Sequence, residues 1–150
     1  MMRGTWRALP TALVLLGLGA CGGGGGSGQP KNLSLQGLKI PTAQVVTNIS
    51  TLCAVDQQAH AGTGDLNGAF YGGASGEPHL VLHQLAAVLA SSHHAASADL
   101  LAKMVTFEQD LLVNPVPEPK TGLAADALLR SASAGLTDLR VKPPACATGG

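Results

Sequence analysis

Residues 41–60 read PTAQVVTNISTLCAVDQQAH, and the spacing of the apolar side chains in that stretch decides the fold. Val45, Ile49, Leu52 and Cys53 follow i, i+4, i+7, i+8, which lines them up on one stripe of an α-helix expected over about Thr42 to His60. Thr42, just after Pro41, is the candidate cap. Gly62-Thr63-Gly64 breaks the helix, and Asp65 starts a short helical piece running through Phe70 and Tyr71. Gly72 to Gly76 interrupts again. Pro78 then suits the first turn of a helix, where a missing N–H costs nothing, and Leu82, Leu85, Ala86 and Leu89 share a face up to Ser91-Ser92-His93-His94.

The same period continues downstream. Leu100, Met104, Phe107 and Leu111 keep i, i+4, i+7, i+11, with Ser97 and Asp99 as candidate capping and first-turn residues. Asn114 to Pro119 (NPVPEP) stops that helix, because prolines cannot continue it. A last helix, about Thr121 to Leu136, aligns Ala125, Leu128, Leu129, Ala132 and Leu136, with Gly135 weakening its final turn. Alternating strand patterns are absent. Three long helices and a broken one, joined by short loops, predict an all-α fold: a small antiparallel, up-and-down bundle of about four helices over residues 41–150.

The chain has 150 residues, nine Lys plus Arg against nine Asp plus Glu, and only 3% aromatic residues. Zero formal net charge excludes the basic stripe of a nucleic-acid binder, so no nucleic-acid partner is expected. The core must be built from Leu, Val and Ala, which bury little area per residue. A covalent staple therefore matters in a bundle of this size.

The N-terminus reads as an address. Arg3 and Arg7 precede an apolar run, ALPTALVLLGLGA (8–20), too short to span a membrane and ending in small residues, as a cleaved secretory signal peptide over residues 1–20 would. Leu18-Gly19-Ala20-Cys21 resembles the lipobox of bacterial lipoproteins. That resemblance implies cleavage before Cys21, a diacylglyceryl thioether on its sulfur with further acyl (palmitate-type) chains, and stable anchoring to a membrane. Gly22 follows in place of Asp; if the host has two membranes, the resemblance implies the outer one. Gly22 to Pro30 (GGGGGSGQP) is low-complexity, and residues 21–40 read as the lipidated cysteine plus a tether of roughly 25 Å mean reach. The alternative for that tether is that Leu33, Leu35, Leu38 and Ile40 dock part of it. No Gly-Lys-Ser/Thr follows the glycines, so they form no phosphate loop.

Setting Cys21 aside leaves Cys53 and Cys146, an even pair in an exported, oxidising setting, and a disulfide between them is expected. The rival, a reactive or metal-binding thiol pair, lacks any Cys-x-x-Cys.

Histidine is the one candidate chemistry. His79 and His83 are four apart, which places both imidazoles on one helix face, as a Zn²⁺ or Cu²⁺ site requires; His60, His93 or His94 would supply a third ligand. The competing reading is helix-boundary histidines bonded to neighbours or water. The glutamate of a His-Glu-x-x-His protease is missing. Gly73-Ala74-Ser75-Gly76-Glu77 fails as a nucleophile elbow, since Glu77 stands where glycine is needed and no strand precedes it. Asp56, Asp99 and Asp126 read as solvated or capping residues, Glu108 and Asp110 point to different helix sides, and no catalytic residue is assigned. The sequons Asn32-Leu33-Ser34 and Asn48-Ile49-Ser50 carry little weight on a bacterial lipoprotein.

Phe70-Tyr71, Pro78-His79 and Leu82-His83-Gln84-Leu85-Ala86, within the stretch from Cys53 to Cys146, resemble small, all-helical actinobacterial-type lipoproteins of uncharacterised function. Gly72 to Gly76 departs from a continuous helix, and the resemblance implies no activity. The expected role is that of a membrane-anchored envelope protein acting by binding or structure, towards an envelope protein or cell-wall partner. The alternatives are a metal-binding lipoprotein using His79 and His83 and, remotely, an extracytoplasmic hydrolase.

Overall fold

A computed structural model describes residues 28–72, 77–113 and 119–148. The expected signal peptide, Cys21 and the glycine run lie outside the described residues, as does the Gly73–Gly76 loop. Five helices carry the fold: α1 (Thr42–His60), α2 (Leu66–Tyr71), α3 (Pro78–Ser91), α4 (Ala96–Val113) and α5 (Pro119–Asp138). The helical reading holds, but the fold is neither purely α nor a pure four-helix bundle. Two short strands, β1 (Asn32–Leu35) and β2 (Leu38–Pro41), precede α1 as an antiparallel hairpin.

The hairpin bears out the alternative for residues 21–40, that part of the tether docks: Leu33 and Ile40 join the core while Leu38 stays exposed, and the fold begins at about Asn32. Its turn is Gln36-Gly37, with φ of +46° and +86°. Two left-handed residues in a two-residue loop match the natural twist of paired strands, and glycine takes that conformation without strain. Leu33 and Ile40 stand directly opposite one another and are both buried, with β1 against α3 and β2 against α1. Leu33/Leu35 and Leu38/Ile40 each alternate over only three residues, too short a run to separate strand from linker by period alone.

The apolar stripes identified in the sequence form one core. Val45, Ile49, Leu82, Leu85, Leu89, Leu100, Met104, Leu128 and Leu136 are fully buried. Helices α4 and α5 make the most extensive contact. They run antiparallel, with Asp99 against Ser131 at one end and Asp110 sharing a groove with Leu123 at the other. Phe70 and Phe107 meet edge-to-face at 5.0 Å between ring centres, the favoured arrangement for two ring quadrupoles.

Three helices end in the same way. After α1, Thr63 N–H donates to Gln58 O and Gly62 (φ +80°) is left-handed; after α3, His94 N–H donates to Leu89 O and His93 has φ +60°; after α5, Val141 N–H donates to Leu136 O and Arg140 has φ +60°. Each is a Schellman closure that satisfies carbonyls the helix itself leaves open. At the N-termini, Asp65 caps α2 by accepting from Gly68 N–H at 2.8 Å. Thr42 does not cap α1: Pro41 holds that position, and Thr42 is buried with its amide bonded to Lys31 O.

Cys53 and Cys146 are joined in a disulfide, with Cα atoms 5.8 Å apart. It ties the 3-10 turn Ala145–Thr148 to the middle of α1, closing a loop of 93 residues. Among the described residues, no helix is long and apolar enough to cross a membrane.

Candidate functional site

The stripe of α1 does not stop at Cys53. Three residues on, Asp56 falls on the same face, and its side chain is 93% buried. One turn later His60 ends the helix. Helix α5 brings Asp126, the neighbour of buried Ala125, to the same place. His60 Nε2 lies 3.2 Å from Asp126 Oδ1 and 3.7 Å from Asp56 Oδ2. Among the described residues, these are the only three His, Cys, Asp or Glu side chains whose ligand atoms all lie within 4.8 Å of one another.

The imidazole is seated by a missing side chain. A β-carbon on Gly122, in the first turns of α5, would stand 3.1 Å from His60 Cε1, so glycine lets the ring lie against the helix with Nε2 turned towards the carboxylates. Asp56 Oδ1 is buried and meets no hydrogen-bond donor. A buried carboxylate oxygen without a partner is costly, and such atoms in native structures call for an explanation.

The three groups perturb one another. Burial, then a hydrogen bond and charge repulsion from Asp126, push the Asp56 carboxyl up from 3.8 to about 7, against the opposing pull of His60. Desolvation also acts upward on Asp126, but hydrogen bonds from Asp56 and His60 and the charges of His60 and Arg130 outweigh it and hold that carboxyl low. His60 is raised, first by its hydrogen bond to Asp126 and then by the two negative charges. Such a triad can share a proton across two helices or hold a cation between them.

The structure distributes the five histidines over three places. His79 and His83 do share a face of α3, with ring centres 6.4 Å apart. His79 packs among rings, 5.7 Å from Phe70 and 4.9 Å from Tyr71, and its buried Nδ1 has no hydrogen-bond partner. His83 pairs with Glu108 of α4 at 3.5 Å. Burial, then the Glu108 charge, raise the nearby Tyr71 hydroxyl. The proposed third ligands are elsewhere: His60 in the Asp56–Asp126 cluster, His93 in the left-handed cap of α3, His94 next to that cap and 3.8 Å from Asp138. No set of three ligand groups containing His79 or His83 closes to within 4.8 Å among the described residues.

The carboxylates also depart from expectation. Asp56 is buried rather than solvated, and Asp126, still partly exposed, pairs with His60 in the cluster. Asp99 does sit in the first turn of α4, as expected, and its carboxylate accepts a hydrogen bond from Ser131 Oγ, linking α4 to α5; Ser97 lies within the helix rather than capping it. The sequence did carry a signal for Asp56: it lies four residues after Leu52 and seven after Ile49, on a stripe otherwise apolar. Nothing local pointed to Asp126.

No protein-family model matches the chain, and neither a curated protein nor a solved structure is significantly similar to it.

Proposed function

We propose that this chain is an exported lipoprotein, anchored to a bacterial membrane through acylated Cys21, whose small helical head acts by binding. The observation that supports the reading is the Cys53–Cys146 disulfide. It accounts for two of three cysteines with a bond that persists in oxidising compartments. The remaining cysteine is the one that ends Leu18-Gly19-Ala20-Cys21. With the fold beginning at Asn32, the anchor and the head are separated only by Gly22 to Lys31, and the head stays close to the membrane surface. A groove lined by Lys31, Thr42, Val46, Lys142, Pro143 and Pro144 flanks the point where the chain enters the fold.

Metabolic labelling with a radioactive fatty acid tests the anchor. The wild-type chain takes up label and sediments with membranes; Cys21→Ser takes up none, leaves the membrane fraction, and keeps its disulfide. Label on the Cys21→Ser chain, or none on the wild type, overturns the reading.

A further inference from the structure

We propose that Asp56, His60 and Asp126 form a binding site for a first-row divalent cation, with Zn²⁺ the best match. The site is separate from the His79–His83 pair and does not rest on the membrane-anchor reading.

The donor set comes first. One imidazole nitrogen and two carboxylate oxygens are ligands that Zn²⁺ takes readily, and imidazole disfavours Mg²⁺ and Ca²⁺, which select oxygen alone. Spacing comes next. A tetrahedral ion with bonds of about 2.1 Å holds its ligand atoms about 3.4 Å apart. The His60 nitrogen already stands 3.2 Å and 3.7 Å from the two oxygens, and all three ligand atoms lie within 4.8 Å of one another, close to that spacing.

Two further features point to a ligand rather than to a plain ion pair. Asp56 Oδ1 is buried with no donor, on a side chain that shares the buried stripe of α1. A cation bound by both Asp56 oxygens gives that atom its partner. Gly122 leaves the space that lets the imidazole settle with Nε2 facing the carboxylates. The His60 side chain is 45% exposed, which leaves a path for entry and an open position for water as a further ligand. Arg130, close enough to influence Asp126, adds one positive charge, and the two carboxylates outnumber it.

The consequence is structural as well as chemical. An ion here would join the C-terminal turn of α1 to the early turns of α5, as the disulfide joins the middle of α1 to the chain's end. An open coordination position suits capture or transfer of the metal more than a closed structural site.

The test uses the full chain with its disulfide intact, stripped of metal by a chelator and titrated with Zn²⁺ alone by calorimetry, then with Co²⁺ for its visible absorption. The expected result is one ion per chain at micromolar concentration, with the visible bands of four- or five-coordinate Co²⁺, the second Asp56 oxygen making the fifth donor. His60→Gln and Asp126→Asn, both at partly exposed positions, should weaken binding about tenfold or more while leaving the helical signal unchanged. The double variant His79→Ala/His83→Ala should bind as the wild type does. No uptake by the wild type, undiminished uptake by both single variants, or loss of uptake in the His79/His83 variant overturns the proposal.

Discussion

Gly135 of α5 lies so close to Leu89 of α3 that a β-carbon at position 135 would stand 2.6 Å from Leu89 Cδ1. The residue that looks like a weak point in the last helix is where α5 packs directly onto Leu89 of α3. Leu89 is fully buried, so it has little room to withdraw. Gly135→Ala should therefore destabilise by about 1–2 kcal/mol despite the gain in helix propensity, since overpacking of a filled core outweighs it. Leu89→Ala should cost about 2–5 kcal/mol alone. The double variant should cost less than the sum, because the clash disappears with the leucine. Additive losses in urea denaturation would show that the two side chains do not compete for this space.

The disulfide closes 93 residues, and the loop-entropy relation gives about 4.6 kcal/mol for that span as an upper figure. Replacing both Cys53 and Cys146 by Ala should lower the melting temperature by roughly 10 °C or more. Intact mass after thiol blocking should show neither sulfur labelled before reduction. Free thiols in protein isolated without reductant would contradict the bond.

Phe70 is, with Leu66, one of two buried anchors of the short helix α2. It is fully buried, edge-on to Phe107, and caps the His79 ring. Phe70→Ala should cost about 3–5 kcal/mol, and Phe70→Leu distinctly less. Equal losses from the two would mean that the ring geometry, not the filled volume, carries the energy.

The Asp56 cluster sets a pH dependence. The Asp56 carboxyl is raised from 3.8 to about 7, so the folded chain holds a proton that the unfolded chain releases. Its contribution is full below 3.8 and is lost as pH rises through about 7. His60, also raised, contributes below 6.5 and loses that contribution in the same upward direction. Asp126, lowered, acts oppositely and fails only as acid is added below its unfolded value of 3.8. With chelator present, the melting temperature should thus fall between pH 5 and pH 8. Asp56→Asn, which cannot ionise, should flatten that fall and stabilise the chain at pH 8 by on the order of 1–2 kcal/mol. An unchanged profile in Asp56→Asn would remove this group as the cause.

Much of the fold was legible because helical periodicity is local. Val45, Ile49, Leu52 and Cys53 announce a buried face whatever it packs against, and α1 runs over the expected residues. Pro78 and Asp65 mark helix starts for reasons confined to one turn. The hairpin was less legible: only four residues make each strand, and its turn puts a glutamine in a left-handed conformation that composition does not signal. His93 and Arg140 were unreadable as caps for the same reason, since glycine is the usual occupant.

By itself, the sequence determined the helices, their apolar faces and a cysteine pair free to close, all of which follow from spacing along one chain. Tertiary structure alone decided where the polar groups meet. His60 and Asp126 are 66 residues apart and carry no shared pattern. They converge because α1 and α5 bury their own stripes against a common core, and Asp56 is drawn inside because it shares the stripe. Burial then changes the chemistry: the same aspartate that would be an ordinary solvated carboxylate on a lone helix becomes, under α5, a group that keeps its proton to about pH 7.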